Sequence, residues 1–196
     1  MQPPLPHAKD SLDAAIMKQP ELDAQVADAS GKRNLIGLSR AELTELFAQH
    51  DIEKLRAQQV WQWIYKRGVT DFSAMSNINK ATRDMMSEHF SVGRAAISKD
   101  AVSFDDTRKW LVKYADGNEV ETVFIPDPPR GTLCISSQVG CTLSCTFCHT
   151  GTQRLVRNLT AADIVTQVMM ARDGLMDWHG AVGSSRTDMQ RKISNT

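Results

Sequence analysis

Three of the four cysteines in this 196-residue chain lie close together, in the stretch GCTLSCTFCHTG at 140–151. Their spacing is CxxxCxxC, formed by Cys141, Cys145 and Cys148. A structural zinc site uses four protein ligands, often in CxxC pairs, and the adjacent residues Cys148 and His149 fit one tetrahedron poorly. Bacterial ferredoxin motifs have another spacing and a further cysteine. Three thiolates suit a cubane cluster with one open iron, which predicts a catalytic metal site; a chance group or redox pair of cysteines is the alternative.

The composition is that of an ordinary globular protein, with 41% hydrophobic and 23% charged residues. No apolar run approaches the length of a membrane span, and the first twenty residues show neither a secretory nor a transit pattern. We therefore expect a cytoplasmic protein. Structural disulfides are rare in that compartment, so clustered cysteines there are expected to bind metal or to react.

The first part of the chain predicts a mobile tail at 1–33 followed by a small helical domain at 34–93. Ser39 and Glu42 form a capping-box pattern for the first helix, and Gly68 is a helix stop for the second. A third amphipathic helix follows. The residues at helical spacings that we expect to be buried are Leu43, Leu46, Phe47, Leu55, Trp61, Ile64, Tyr65, Ile78, Ala81, Met85 and Phe90.

Basic side chains outnumber acidic ones between residues 31 and 99, although the whole chain is neutral. Such an excess is compatible with RNA contact, but charged segments are usually solvated faces. Trp61 and Trp63 cannot share one helical face, so one of them could stack on a base; packing within the protein is the alternative.

After Gly93 the pattern changes to short β-prone runs, which we assign with the rest of the chain to one region, 94–196. An Asp-Gly-Asn turn at 116–118 indicates a hairpin, so the strands are predicted to be antiparallel. Later, Thr160 and Asp163 predict a helix start. Gly174 is predicted to stop that helix, whose apolar stripe would be Ile164, Val165, Val168 and Met169. A break between the last two strand runs, EVETVFIP and TLCISS, is expected at Pro126, Pro128 and Pro129.

With aromatic Phe147 just before its last cysteine, the motif resembles the signature of radical S-adenosylmethionine enzymes. The resemblance implies that Cys141, Cys145 and Cys148 hold a [4Fe-4S] cluster. Its open iron would bind the amino and carboxylate groups of S-adenosylmethionine, and Phe147 would lie near the adenine of that cofactor.

A wider resemblance covers about residues 34–195. The segments NEVETVFIP, GTLCISSQVGC, CHTGTQ and RNLTAADIVTQV, preceded by WQWIYKRGVTDF, resemble the RlmN-type adenine C2 methyltransferases of 23S rRNA and tRNA. The implied fold is α/β: a small helical RNA-contacting domain, then the beginning of a partial TIM-like radical S-adenosylmethionine barrel that is incomplete at the C-terminus. The resemblance also implies 23S rRNA and tRNA as partners, with an external reductant such as flavodoxin or ferredoxin.

The family resemblance implies methyl transfer in two stages. One S-adenosylmethionine methylates a cysteine near the C-terminus of the family's proteins, and a second is cleaved to a radical that activates this methyl for addition to adenine C2. The cysteine that resolves the protein–RNA adduct corresponds to Cys134, and the active-site glutamate of the VET motif corresponds to Glu121. Without the resemblance, Cys134 would be interpreted as a small buried hydrophobe, and Glu121 as an exposed carboxylate on the same strand face as Glu119.

The sequence departs from the family where the later barrel strands and the methyl-carrying cysteine would follow. We therefore expect a fragment, and we expect these 196 residues alone not to methylate RNA. The alternatives are a methyltransferase completed by further sequence or another chain, a non-catalytic fragment that binds RNA and a cluster, and the related adenine C8 methyltransferase.

Overall fold

The computed structural model describes residues 31–128, 130–143, 145–147, 150–178 and 193. These residues form a mixed structure of helices and strands, as the sequence predicts. All but the last residues of the expected tail at 1–33 lie outside the described part. Among the described residues, no helix is long and apolar enough to cross a membrane.

Three helices form the first part of the structure: α1 (Arg40–Ala48), α2 (Lys54–Arg67) and α3 (Lys80–His89). A short parallel pair closes this part, in which β1 (Arg33–Asn34) pairs with β2 (Phe90–Ser91). The side chains that form the helical core include Leu35, Leu43, Phe47, Val60, Ile64, Phe72, Met75, Ile78, Met86 and Phe90.

The predicted helix ends are confirmed. The Ser39 side chain accepts a hydrogen bond from the Glu42 backbone N–H, and the Glu42 carboxylate accepts one from the Ser39 N–H, which completes the capping box. Gly68 ends α2 in the left-handed region, at φ 67°. That conformation favours glycine because a Cβ atom would be strained there.

Part of the predicted buried set is wrong. Leu55 is 56% exposed, since it lies half a helical turn away from the buried residue Ile64. On α3 the buried residue is Met86, whereas Ala81 is exposed and Met85 only half-buried. Ile78 lies before the start of α3, so it does not indicate which face of that helix is apolar.

The second part contains a four-stranded antiparallel sheet in the order β3-β4-β5-β6. Its strands are β3 (Ala96–Val102), β4 (Arg108–Lys113), β5 (Glu119–Asp127) and β6 (Arg130–Cys134). The described strands form an open sheet and no closed barrel. The predicted turn between β4 and β5 is present, with Gly117 at φ 82°.

The prediction that the prolines break the strand run is wrong for Pro126. β5 continues through this residue, which pairs with Gly131 of β6. The last pair between β4 and β5 is Arg108 with Phe124, so Pro126 has a strand neighbour on one side only. A proline is tolerated there because the side without a neighbour needs no N–H.

Helix α4 (Ala161–Leu175) covers one face of the sheet. Its predicted capping box is present, with Thr160 accepting from the Asp163 N–H and the Asp163 carboxylate accepting from the Thr160 N–H. The predicted stop at Gly174 is wrong, because the helix runs to Leu175. A Cβ at Gly174 would lie 3.2 Å from the Trp110 ring, so close packing on the sheet explains this glycine. Residues of the second core include Trp110, Val112, Phe124, Leu133, Met170, Ala171 and Leu175.

Helix α4 also contacts the helical core. Met169 is buried in that core and Val165 packs against it. Two glycines of the helical part approach α4 and the residues after it closely. A Cβ at Gly37 would collide with Ala162, and a Cβ at Gly68 would collide with the Trp178 ring. The helix is therefore shared by both cores.

Candidate metal centre

Glu121 and Cys134 lie on the face of the sheet that α4 does not cover. Along β5, Val120, Thr122 and Phe124 are buried and the alternate residues point the other way. Cys134 is the residue directly opposite Val123 and is exposed. Interpretation of Cys134 as a buried hydrophobe is therefore wrong, and the two candidate residues are diagonal neighbours on one open face.

The Glu121 side chain forms an ion pair that the sequence did not predict. Its Oε1 atom lies 2.9 Å from Nζ of Lys109 on the neighbouring strand β4. Both side chains are at least half exposed, so the pair orients the carboxylate but adds little stability. Glu119 is exposed on the same face, as its alternation with buried Val120 predicts.

A small antiparallel pair holds the two ends of the cysteine loop together. β7 (Gln138–Val139) pairs with β8 (Arg157–Asn158), and Gln138 Nε2 donates to Asn158 Oδ1 at 2.7 Å. Next to this pair, the Cys141 backbone N–H donates to Gln153 O at 3.2 Å. The loop therefore leaves and re-enters the structure at one place.

Two glycines let this loop fold closely on itself. Gly140 has φ 78°, and a Cβ there would collide with the Arg154 carbonyl oxygen. At Gly151 a Cβ would lie 2.8 Å from Cys145 O and 2.9 Å from Cys145 N. Both positions therefore need glycine for space, and Gly140 needs it for its backbone conformation as well.

The structure describes two of the three predicted cluster ligands. Cys141 and Cys145 are free thiols with intermediate exposure, and Cys148 lies outside the described residues. The Leu143 backbone N–H donates to Cys141 Sγ at 3.3 Å. Hydrogen bonds to the sulfurs are one of the features by which a protein tunes an iron–sulfur cluster. Within the described residues no group of three His, Cys, Asp or Glu could hold a metal.

The fit of the donor set to a cluster rests on its chemistry. Soft thiolate ligands select iron–sulfur clusters and zinc over hard cations. The loop directs one backbone N–H at a sulfur, and its two described thiols are partly exposed, so the described residues are compatible with a cluster. Phe147, the predicted adenine neighbour, lies two residues after Cys145 in the sequence, and its side chain is 91% exposed.

Arg157, at the end of the loop, forms ion pairs with two aspartates. Its Nε lies 2.6 Å from Asp116 Oδ2, and its Nη1 lies 2.7 Å from Asp163 Oδ2. Burial alone would raise the pKa of Asp116, but hydrogen bonds from Asn118 and Arg157 outweigh it and hold that pKa below its usual value. The Tyr114 hydroxyl donates to Asp163 O at 3.0 Å, and burial raises its pKa. Sequence reasoning missed Arg157 and Asp116, since their partners are distant in the chain.

One solved structure is similar to this chain over most of its length. The crystal structure of a radical SAM methyltransferase from Sphaerobacter thermophilus is similar to this chain, with a TM-score of 0.65 and 36% sequence identity. The match covers 72% of this chain and 42% of that one. This chain is therefore similar, in fold and in sequence, to part of a radical SAM methyltransferase.

Sequence comparison specifies the family. A profile described as "Ribosomal RNA large subunit methyltransferase N-terminal domain" matches residues 33–92. Two proteins named "Dual-specificity RNA methyltransferase RlmN", from Novosphingobium aromaticivorans and Granulibacter bethesdensis, are 56% and 50% identical over 80% and 92% of this chain. This chain spans 37% and 47% of their lengths, less than half of each. The resemblance seen in the sequence is confirmed: this chain is homologous to the RlmN family over most of its length.

Proposed function

We propose that this chain is the cluster-bearing part of a radical S-adenosylmethionine methyltransferase that adds a methyl group to C2 of adenine in 23S rRNA and tRNA. The observation that carries the proposal is the thiol loop. It begins seven residues after Cys134, folds closely at Gly140 and Gly151, and directs a backbone N–H at Cys141. The homology of this chain to proteins named RNA methyltransferases supports a role of the loop in RNA methylation.

The proposed ligands of a [4Fe-4S] cluster are Cys141, Cys145 and Cys148. When bound, the cluster supplies the electron that cleaves S-adenosylmethionine, and a flavodoxin or ferredoxin would deliver that electron. The Leu143 N–H donates to Cys141 Sγ, so the loop directs a polar backbone group at one of the proposed ligands. The exposed ring of Phe147 is available to contact the adenine of the cofactor.

Cys134 and Glu121 would act on the open face of the sheet. The exposed Cys134 thiol is accessible to an RNA adduct and takes the resolving role in our proposal. Glu121 is held beside it by Lys109, so its carboxylate is placed to accept a proton or a hydrogen bond from the base. Helix α4 lies on the opposite face, as helices do on the outside of a barrel. We infer that β6, the cysteine loop and α4 are the first strand–helix unit of a partial barrel within the region 94–196, and that the other strands of the antiparallel sheet precede it.

Residues 34–93 would contact RNA in this proposal. Arg40 lies 4.2 Å from the ring centre of Trp61, and Arg67 lies 4.1 Å from that of Trp63. Each indole thus has a guanidinium over one face, and stacked aromatic and guanidinium planes are the groups on which RNA bases stack. Such an enzyme would act in the cytoplasm, where its RNA substrates are.

Anaerobic reconstitution with iron and sulfide tests the cluster assignment. We expect about four iron and four sulfide per chain, as a [4Fe-4S] cluster requires. Cys145→Ala should lose most of this iron, while Cys134→Ala, the matched control outside the CxxxCxxC motif, should keep it. Full occupancy in Cys145→Ala would show that the ligand assignment is wrong.

RNA contact is tested with the same chain by titrating an rRNA fragment at two salt concentrations. We expect weak binding that falls as salt rises, because phosphate contacts release counterions. Arg40→Ala should weaken binding and reduce its salt dependence, whereas Arg40→Lys should keep the salt dependence. Binding that does not change with salt would remove the RNA role of this region.

A further inference from the structure

Gln167, in the middle of α4, is fully buried and uses its whole hydrogen-bonding capacity. Its Oε1 accepts from the Ser136 N–H and from the Thr122 hydroxyl, each at 2.9 Å. Its Nε2 donates to Ser136 O at 2.9 Å and to Asp163 O at 3.2 Å. Because Ser136 offers one backbone donor and one acceptor, it also fixes which way the amide of Gln167 faces.

Ser136 marks the point at which the chain leaves the sheet. The last pair between β5 and β6 is Val123 with Cys134, so continuing the register would bring Thr122 opposite Ile135 and then Glu121 opposite Ser136. Instead, the Ser136 backbone turns to the amide of Gln167, while its hydroxyl donates to Glu121 O at 2.8 Å. The backbone N–H and C=O of Ser136 thus bond to the Gln167 amide, where a neighbouring strand would otherwise supply the partners.

We propose that Gln167 is the positioning residue of the methyl-transfer site. By holding Ser136, it fixes the direction in which the strand carrying Cys134 continues towards Cys141, and by holding Thr122 it fixes the backbone next to Glu121. The roles of Cys134, Glu121 and Cys141 rest on the proposed function, whereas the contacts of Gln167 do not.

A purely space-filling role is the alternative, and the chemistry of the contacts argues against it. An apolar side chain of the same length would fill the volume but leave the Ser136 N–H and C=O and the buried Thr122 hydroxyl without their partner. Burying such groups unpaired is costly. The segment around Ser136 would then open to water more often, and Cys134 would change its surroundings.

The test compares Gln167→Met and Gln167→Glu in the full chain by hydrogen exchange of peptides covering 131–140. In Gln167→Met we expect the protection factor of this segment to fall about tenfold or more, since two backbone bonds are lost. In Gln167→Glu, burial raises the pKa of the new carboxyl, so the variant is first measured at alkaline pH, where the carboxylate cannot donate to Ser136 O and protection should fall similarly. At acidic pH the protonated carboxyl can donate again, and most of the protection should return.

The return at acidic pH separates positioning from packing, because glutamine and glutamate have nearly the same size. The titratable groups near position 167 are Tyr114 and Asp163, and Asp163 is paired with Arg157. They are present in every variant, so protection factors are compared with the wild-type chain at the same pH. The matched control is Thr166→Val. Thr166 lies next to Gln167 on α4 and accepts a hydrogen bond from the Ala95 N–H, so its loss should leave the exchange of 131–140 unchanged.

A second readout concerns the site itself. In reconstituted protein, the alkylation rate of Cys134 relative to wild type should change several-fold in Gln167→Met and in Gln167→Glu at alkaline pH, where the thiolate reacts. Unchanged exchange in both variants, or no return at acidic pH, would overturn the inference. If Gln167→Met does not fold, the two pH values of Gln167→Glu decide. A wild-type chain that takes up no iron would instead overturn the proposed function and leave the exchange result standing.

Discussion

Replacing Arg94 with methionine should lower the free energy of unfolding more than any change at an exposed ion pair. Arg94 Nε lies 2.7 Å from Asp173 Oδ2, and Nη2 donates to Gly68 O at 2.9 Å. Trp178 Nε1 donates to the other oxygen of Asp173 at 2.6 Å. Arg94 thus joins the end of α2, in the helical core, to α4.

The magnitude follows from burial. Removing one partner of a fully buried ion pair costs about 3–5 kcal/mol. The Arg94 side chain is 10% exposed, but that of Asp173 is 32% exposed and keeps its bond from Trp178. Water therefore replaces part of the lost interaction, and methionine keeps much of the packing of the arginine stem. We expect a loss of about 2 kcal/mol, equivalent to a fall in Tm of about 4–8 °C for a chain of this size.

Urea unfolding followed by tryptophan fluorescence and circular dichroism measures this change. The matched control is Glu53→Gln, since Glu53 is 76% exposed and lies 4.0 Å from Arg56. It should cost less than about 0.5 kcal/mol. A double-mutant cycle of Arg94→Met with Asp173→Asn should show a coupling energy of about 1 kcal/mol or more. An Arg94→Met chain as stable as the control would refute the reasoning.

Two further predictions concern the loop and the first helix. Gly140→Ala should abolish iron uptake, because a Cβ would collide with Arg154 O, whereas Gly117→Ala, at similar φ with no atom within 4 Å, should retain iron; equal uptake would contradict this. Ser39→Ala should cost about 1 kcal/mol in urea unfolding. The Ser39 hydrogen bonds lower the pKa of Glu42, so their contribution is present above the usual glutamate pKa and is lost as pH falls through the lowered value. Ser39→Ala should therefore reduce the acid sensitivity of stability, and an unchanged pH profile would exclude this.

Local chemistry is what the sequence predicts well. A capping box needs residues three apart, as at Ser39 and Thr160, and the hairpin turn needs a glycine at positive φ, as at Gly117. Packing decides the features that were wrong. Gly174 alone suggests a helix stop, but Trp110 packs closely against it. Pro126 alone suggests a strand end, but the pairing of β5 with β4 stops at Phe124, so Pro126 has no strand neighbour on that side.

The same limit applies to the site. The spacing of the cysteines is local, and so the thiol loop could be predicted. Lys109, Arg157 and Gln167 act through partners 12, 41 and 31 residues away, as the ion pairs and the Ser136 bonds show. No periodicity in the sequence relates such residues. Gln167 lies in the sequence between residues of an apolar stripe, but its role could be interpreted only once Ser136 was placed.

Helix α4 connects the parts of the molecule through three successive polar contacts. At its start Asp163 holds Arg157 of β8, in its middle Gln167 holds Ser136, and near its end Asp173 holds Arg94. The first two contacts fix both ends of the segment that contains the cysteine loop, and the third fixes the helical core. A shift or rotation of α4 would therefore disturb all three contacts together. Since residues in one hydrogen-bonded unit couple, changes at Gln167 and Asp163 should be non-additive. A change at Arg94, whose partner Asp173 lies further along the helix, should combine nearly additively with either.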